Sequence, residues 1–443
     1  MIWVMLWACT ASVQPELSVA ELQDPAACVD CHPDHSRQWS GSMHAYASED
    51  PVFRAMNERG QRETDGELGD FCVQCHAPLA LALGETTDGT NLDELPDHLQ
   101  GVNCYFCHNI VAVEGTHNNP LSLAMDGIMR GGIQDPTPNT GHASAHEPLL
   151  DRNDHSSSDA CGACHDIVTP QGVHLERTYA EWQETLFSDP TEAGNLSCGE
   201  CHMQGTDDVA AVYDGVGLRR IHDHKMVGID VAMTDFPEKE EQVDAVQSFL
   251  DTSIHSVLCV LSEGGPPVIE VSLHNVSAGH DWPSGAAQDR RIWVELTAYE
   301  GETILLQTGK VAEGEPLVDH DDDANLWRLG DRIYDENDAE VHMFWEAHSY
   351  TSEQLPGPTA FSEYDPDYRK TSATRRFTVP SGSPDRVELS VHVRPIGLDL
   401  IQSLVESGDL DPAEISDIPT FTVAGASLVW RADDNDPCSE PLR

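Results

Sequence analysis

Ten of the 13 cysteines stand in one repeated five-residue frame, two thiols three apart with a histidine directly after the second. The frames are Cys28-Val-Asp-Cys31-His32, Cys72-Val-Gln-Cys75-His76, Cys104-Tyr-Phe-Cys107-His108, Cys161-Gly-Ala-Cys164-His165 and Cys198-Gly-Glu-Cys201-His202. The filler residues change and the frame does not; this composition would yield about 0.02 such frames by chance. Thiols at this spacing share one face of a helical turn, with the imidazole close by. Haem carries two vinyl groups that each accept a thiol as a thioether, while the adjacent imidazole reaches the iron. Zinc wants four ligands, and five frames of two thiols and one histidine do not pair off into such sites. A thioredoxin-like redox pair needs a single C-x-x-C near a βαβ pattern, which is absent. The reading is therefore five covalently bound haem c groups, held by Cys28, Cys31, Cys72, Cys75, Cys104, Cys107, Cys161, Cys164, Cys198 and Cys201, with His32, His76, His108, His165 and His202 as proximal iron ligands.

Each iron needs a second ligand. Beside the frames, the first half holds His35, His44, His98, His117, His142, His146, His155, His174, His222 and His224. Ten imidazoles for five irons is a surplus, and methionine is scarcer, so bis-histidine ligation with lowered potentials is expected. His44 lies about 18 Å from His32 if the chain between them is one continuous helix, so it would serve a different haem. The expected distal set is His44, His117, His146, His174 and His224. His146 competes with His142, which shares its face if that stretch is helical. His117 and His174 are chosen because they lie between successive frames. His280 is the reserve, should the second half dock on the haems. No catalytic residue is assigned.

The elements that must hold these groups differ along the chain. Hydrophobic residues make up 39% of the 443, a thin supply for a side-chain core, and haem plates can take up that role. Residues 21–235 read as an irregular pentahaem domain, with short helices at 36–56 and 176–186. Residues 236–253 read as a connecting amphipathic helix with Val243, Val246, Phe249 and Leu250 on one face. Residues 254–443 read as an antiparallel β-sandwich, with strands at 268–273, 291–298, 304–311, 341–345, 375–379, 387–393 and 420–430 and a helix at 396–406. The fold class is thus α+β multidomain, a short-helix multihaem domain followed by a sandwich. Cys259 and Cys438 lie outside the frames and are expected to pair in an oxidising compartment. Asp319, Asp321, Asp323 and Asn325 alternate as in a calcium loop, but Ala324 and Gly330 occupy the positions where that loop needs Gly and Glu, so a solvated acidic turn is expected.

Acidic residues number 77 against 24 basic ones, a net charge of -53. This excludes nonspecific nucleic-acid binding through a basic face and suits cationic partners, such as a redox protein with a basic docking face or a quinol-oxidising complex. The opening MIWVMLWACTAS is too short an apolar run to span a bilayer. Residues 1–20 are read as a signal or lipid-anchor segment and linker, similar to a bacterial lipoprotein signal with Cys9 lipidated. Export to the cell envelope follows, on the periplasmic side or at the cell surface, with a lipid anchor as the sole membrane attachment.

Several segments beyond the frames resemble multihaem c-type cytochromes of the nitrifier tetrahaem and hydroxylamine-oxidoreductase-like kind. They are Gln38-Trp39 and Ser42-Met43-His44-Ala45 after the first frame, Gly101-Val102 before the third, Glu176-Arg177-Thr178 and Glu181-Trp182 after the fourth, and His224-Lys225-Met226-Val227-Gly228 after the fifth. The resemblance implies distal ligation by His44 and His224. Gly279-His280-Asp281-Trp282-Pro283-Ser284-Gly285 is similar to a segment that opens a β-domain in related large cytochromes. Pentahaem nitrite reductases use Lys in one frame, whereas all five frames here end in His. The leading expectation is single-electron transfer along closely packed bis-histidine haems. The alternatives are an enzyme acting on a small nitrogen or sulfur compound at one open haem, and a subunit of a cytochrome filament or outer-membrane conduit.

Overall fold

The computed structural model describes residues 15–440 except 192, 193, 263, 417 and 435; Cys9 and the opening segment lie outside the described residues. The first half is built from short pieces. The expected helix at 36–56 is three helices, Pro33–Ser40, Met43–Tyr46 and Pro51–Glu63. Gly41 ends the first, and the Ser42 side chain accepts from Ala45 N to start the second. Asp50 accepts from the Val52 and Phe53 amides to cap the third, with Pro51 in its first turn. The expected helix at 176–186 is trimmed to Thr178–Gln183. Frame residues lie on single helical turns such as Val73–His76, Cys104–Cys107 and Cys198–His202, the last fixed by a reciprocal Ser197–Glu200 cap. Two-stranded ribbons fill the intervals; among them Ile128–Gly131 runs parallel to Ala143–His146.

Helix Lys239–Ser253 leads into the second half and buries Val246 and Leu250. Strand Val268–Asn275 alternates buried and half-buried residues, as a strand with one face inward must. It lies between Ile254–Leu261 and Ser372–Thr378 in one sheet. The facing sheet centres on Arg291–Glu300, which pairs with Arg386–Arg394, Trp327–Tyr334 and Thr303–Thr308. Ile269, Val271 and Leu273 of one sheet and Ile292, Val294 and Leu296 of the other form a single core. The chain is thus α+β. Two expected strands differ, and two strands are additional. The strand at 341–345 is only Glu340–Val341, followed by a tight turn at Phe344–Glu346. The strand at 420–430 is split by the turn Ala424–Ala426. Strands Trp327–Tyr334 and Ser349–Glu353 were not anticipated. Cys438 sits opposite Cys259 in register and is bonded to it, as expected.

The halves share a core. Val52, Ala55 and Leu68 of the first pack with Met343, Trp345, Leu400 and Leu404 of the second. The Trp345 indole donates to Glu63 at 3.0 Å, and Arg62 pairs with Asp409. Any Cβ at Gly60 would strike the Trp345 ring at 2.8 Å, so the absence of a side chain there sets how closely the halves approach.

Candidate cofactor site

All ten frame cysteines and all five frame histidines line one continuous cavity of about 1650 Å³. None of these thiols is disulfide-bonded. The frames adjoin one another: Cys28 lies close to Cys104, Cys75 to Cys164, and Cys161 to Cys198. The frame imidazoles are aimed by the backbone. His32 Nδ1 donates to Ala210 O at 2.7 Å, His76 Nδ1 to Ala47 O at 2.8 Å and His202 Nδ1 to Val227 O at 2.7 Å. His108 Nδ1 donates to Arg130 O. A carbonyl can only accept, so the proton sits on Nδ1 and Nε2 is left as a free donor for a metal. Burial also holds His76, His108, His165 and His202 below the usual imidazole range, which keeps them neutral.

Two imidazoles bound to one metal from opposite sides, each with its nitrogen about 2 Å from the ion, have ring centres roughly 6 Å apart. Four frame histidines face a second ring at that separation: His32 and His142 at 6.2 Å, His108 and His224 at 6.4 Å, His165 and His44 at 6.1 Å, and His202 and His280 at 6.4 Å. His142, His224, His44 and His280 also line the cavity. His142, His224 and His280 each hold a backbone carbonyl through Nδ1, leaving Nε2 free in the same way. Burial pushes the His44 and His280 imidazoles down to about 4. The donor set and its spacing therefore fit thioether-bound haem with paired imidazoles.

The second frame differs. Among the described residues, the ring contact of His76 is with Phe53, stacked at 3.9 Å, and not with another imidazole. Glu176 lies near Cys72 of this frame, and Asp289 lies near Glu176. Burial, with the Glu176 carboxylate adding to it, pushes the Cys72 thiol up to about 12. Glu176 stands at φ 50° and accepts from Gln288 Nε2 at 3.2 Å. Burial, then the nearby Glu176, pushes the Asp289 carboxyl up to about 7. Arg290 is committed to Asp230. Gln288 Oε1 and Asp289 Oδ1 are buried without a protein partner.

Of the expected distal histidines, His44 and His224 lie in the cavity wall facing frame histidines, and His44 faces the fourth frame and not the first. His117, His146 and His174 are not among the lining residues. His117 and His174 face each other at 6.2 Å, away from any frame ring. His146 is turned to Asp151 at 3.2 Å. His142 and His280 stand where partners for frame histidines are needed. In the acidic turn, Asp323 accepts from Thr308 Oγ1 and Gly309 N, and Asp321 pairs with Arg328, so these carboxylates are engaged within the fold.

Residues 27–109 match the family described as cytochrome c554 and c-prime. No curated protein matches the chain. Among solved structures, the chain is similar to a penta-heme cytochrome c552 from Thermochromatium tepidum, at 19% identity with a TM-score of 0.63, covering 94% of this chain and 100% of that one. Together, frames, cavity and family match support a multihaem c-type cytochrome. The likeness to the solved structure extends to the fold. No helix among the described residues is long and apolar enough to cross a membrane.

Proposed function

We propose that this chain is an exported pentahaem c-type cytochrome that passes single electrons. The observation that carries this is the cavity wall: ten thiols and five imidazoles in one continuous space, four of the imidazoles facing a second ring at ligating separation. The ligand pairs are His32 with His142, His108 with His224, His165 with His44 and His202 with His280. Haem c, when bound, supplies reversible one-electron iron chemistry at a potential lowered by two imidazoles. The chain's residues do the rest. Backbone carbonyls fix each Nδ1 proton, and the shared wall keeps neighbouring frames in contact. Thiol contacts order the frames as first, third and fourth, with the second and fifth both beside the fourth. The Cys259–Cys438 bond supports an oxidising, exported setting, and the charge of -53 supports a partner with a basic face.

His76 favours a second reading, an enzyme site at the second frame for a small nitrogen or sulfur compound. There Asp289 would hold the exchanged proton, and its unpartnered oxygen faces no protein donor. Pyridine haemochrome assay with a spin-state spectrum of the purified protein tests both. The expected result is five haems, four low-spin and one high-spin. Fewer than five haems overturns the first reading, and five low-spin haems overturns the second.

A further inference from the structure

Among the described residues, the loop at 359–369 carries the two most exposed aromatic rings, Phe361 at 73% and Tyr364 at 89%, with Tyr368 beside them at 40%. The loop is closed by its own hydrogen bonds. Thr359 Oγ1 donates to Asp367 O at 2.7 Å, and Arg369 N donates to Thr359 Oγ1 at 2.8 Å. Asp367 N donates to Asp365 Oδ1 at 2.9 Å. Solvent exposure of large rings on a fixed loop is unfavourable unless something covers them, and such patches mark interaction sites.

The loop's position says what it serves. The Phe361 ring lies on Gly194, where an added Cβ would come within 2.6 Å of it, and Gly194 is just ahead of Cys198. Leu196, between them, lines the cofactor cavity and is itself 37% exposed. At the loop's far end, Arg369 pairs with Asp281 at 2.8 Å and with Glu184 at 2.9 Å. Asp281 follows His280 directly, and its carboxylate also accepts from Gly357 N at 2.8 Å. One loop thus touches the segment that enters the fifth frame and the segment that presents His280 to His202.

We propose that the aromatic loop at 359–369 is the docking surface for a one-electron protein partner with a basic rim, placed to exchange electrons at the fifth frame. This rests on the electron-transfer reading above. Aromatic side chains are the usual anchors of such contacts. Glu363, Asp365 and Asp367 surround them with negative charge, which steers a lysine- or arginine-rimmed partner. The same charge disfavours the alternatives. A second copy of a chain at -53 would repel this patch, and anionic lipid headgroups would as well. In the exchange, one iron of this chain goes from ferrous to ferric while the partner's centre gains the electron; no bond forms and no proton moves.

The test uses the holoprotein and its Phe361→Ser/Tyr364→Ser variant. Both residues are exposed, and neither lines the cofactor cavity. The reduced protein is mixed in stopped flow with a ferric, lysine-rimmed mitochondrial-type cytochrome c, and separately with a small inorganic acceptor. The expected result is a rate to the protein probe that falls with salt and is about tenfold lower in the variant at low salt. Haem spectra and the rate to the small acceptor should be unchanged. Equal rates for the two proteins overturn the docking surface and leave the electron-transfer reading standing. A variant slowed equally toward the small acceptor overturns it too, since the loop would then act on the haem. Loop-dependent self-association in ultracentrifugation, or loop-dependent binding to anionic vesicles, would put a different occupant there. A wild type that reduces neither acceptor overturns the electron-transfer reading itself.

Discussion

Replacing Glu181 by Gln should flatten the pH dependence of stability between the carboxylate range and about pH 8. Glu181 sits where the halves meet. Ser284 Oγ donates to its Oε2 at 2.6 Å, and Gln354 Nε2 lies 3.5 Å from Oε1. Burial, with Asp281 and Asp331 adding to it, pushes its carboxyl up to about 8 from 4.5. The unfolded chain ionises Glu181 first, as pH rises past 4.5, while the folded chain keeps the proton until about 8. The protonated carboxyl therefore stabilises the fold fully below pH 4.5, and that contribution is lost as pH rises toward 8. The full shift corresponds to on the order of 5 kcal/mol, and the solvent still reached by the half-buried side chain reduces it to about 3 kcal/mol. A neutral glutamine keeps the shape and an acceptor oxygen, and it has no proton to lose. Denaturant midpoints followed by far-ultraviolet circular dichroism at pH 5 and pH 8 measure the effect. Wild type should weaken between the two by more than the variant does, the difference being about 2 kcal/mol. An equal change in both proteins would refute a protonated Glu181 at the junction.

His280→Ala should leave every haem attached, since the thioethers and His202 are untouched, and should convert one further iron to high spin; an unchanged spin-state spectrum would remove His280 from the ligand set. His142→Ala should do the same for the first frame while His146→Ala leaves all irons as they were, read by the same spectrum. Cys259→Ser/Cys438→Ser should lower stability by about 2–5 kcal/mol because the bond closes a loop with a sequence separation of 179; unfolding midpoints without reductant measure this. Gly162→Ala should cost about 1–3 kcal/mol, because the new methyl would strike the Tyr179 ring behind the fourth frame, and thermal unfolding checks it.

Local chemistry was legible and long-range apposition was not. A thioether pair needs a fixed spacing within one helical turn, so each frame shows itself in five residues. The ring across the cavity is set by the whole fold. His142 and His146 would share a face only in a helix, and Ala143–His146 is a strand. His146 is fixed by Asp151, while His142 falls opposite His32. His117 and His174 lie between frames in sequence, yet the folded chain brings them to each other. His280 carried a signal in its Gly279–Gly285 segment, but its role needs the sandwich to dock on the first half, which no local pattern states. Strand Val268–Asn275 was readable from its alternation. Trp327–Tyr334 was not, because Gly330 and a run of charged residues break the period that buries Trp327, Leu329 and Ile333.

The place of His280 in the chain bears on how the protein is made. The rings that face the first, third and fourth frames, His142, His224 and His44, are all synthesised before the sandwich begins. His280 is synthesised after it has begun, on a loop between strands Val268–Asn275 and Arg291–Glu300. If these rings ligate as proposed, three of the pairs can close during maturation as soon as the first half has emerged, while the ring for the fifth frame is in place only once the second half has folded and docked. The sandwich is then a checkpoint on assembly: a truncated or misfolded second half would yield a protein with its haems attached and one more iron open to ligands in its surroundings.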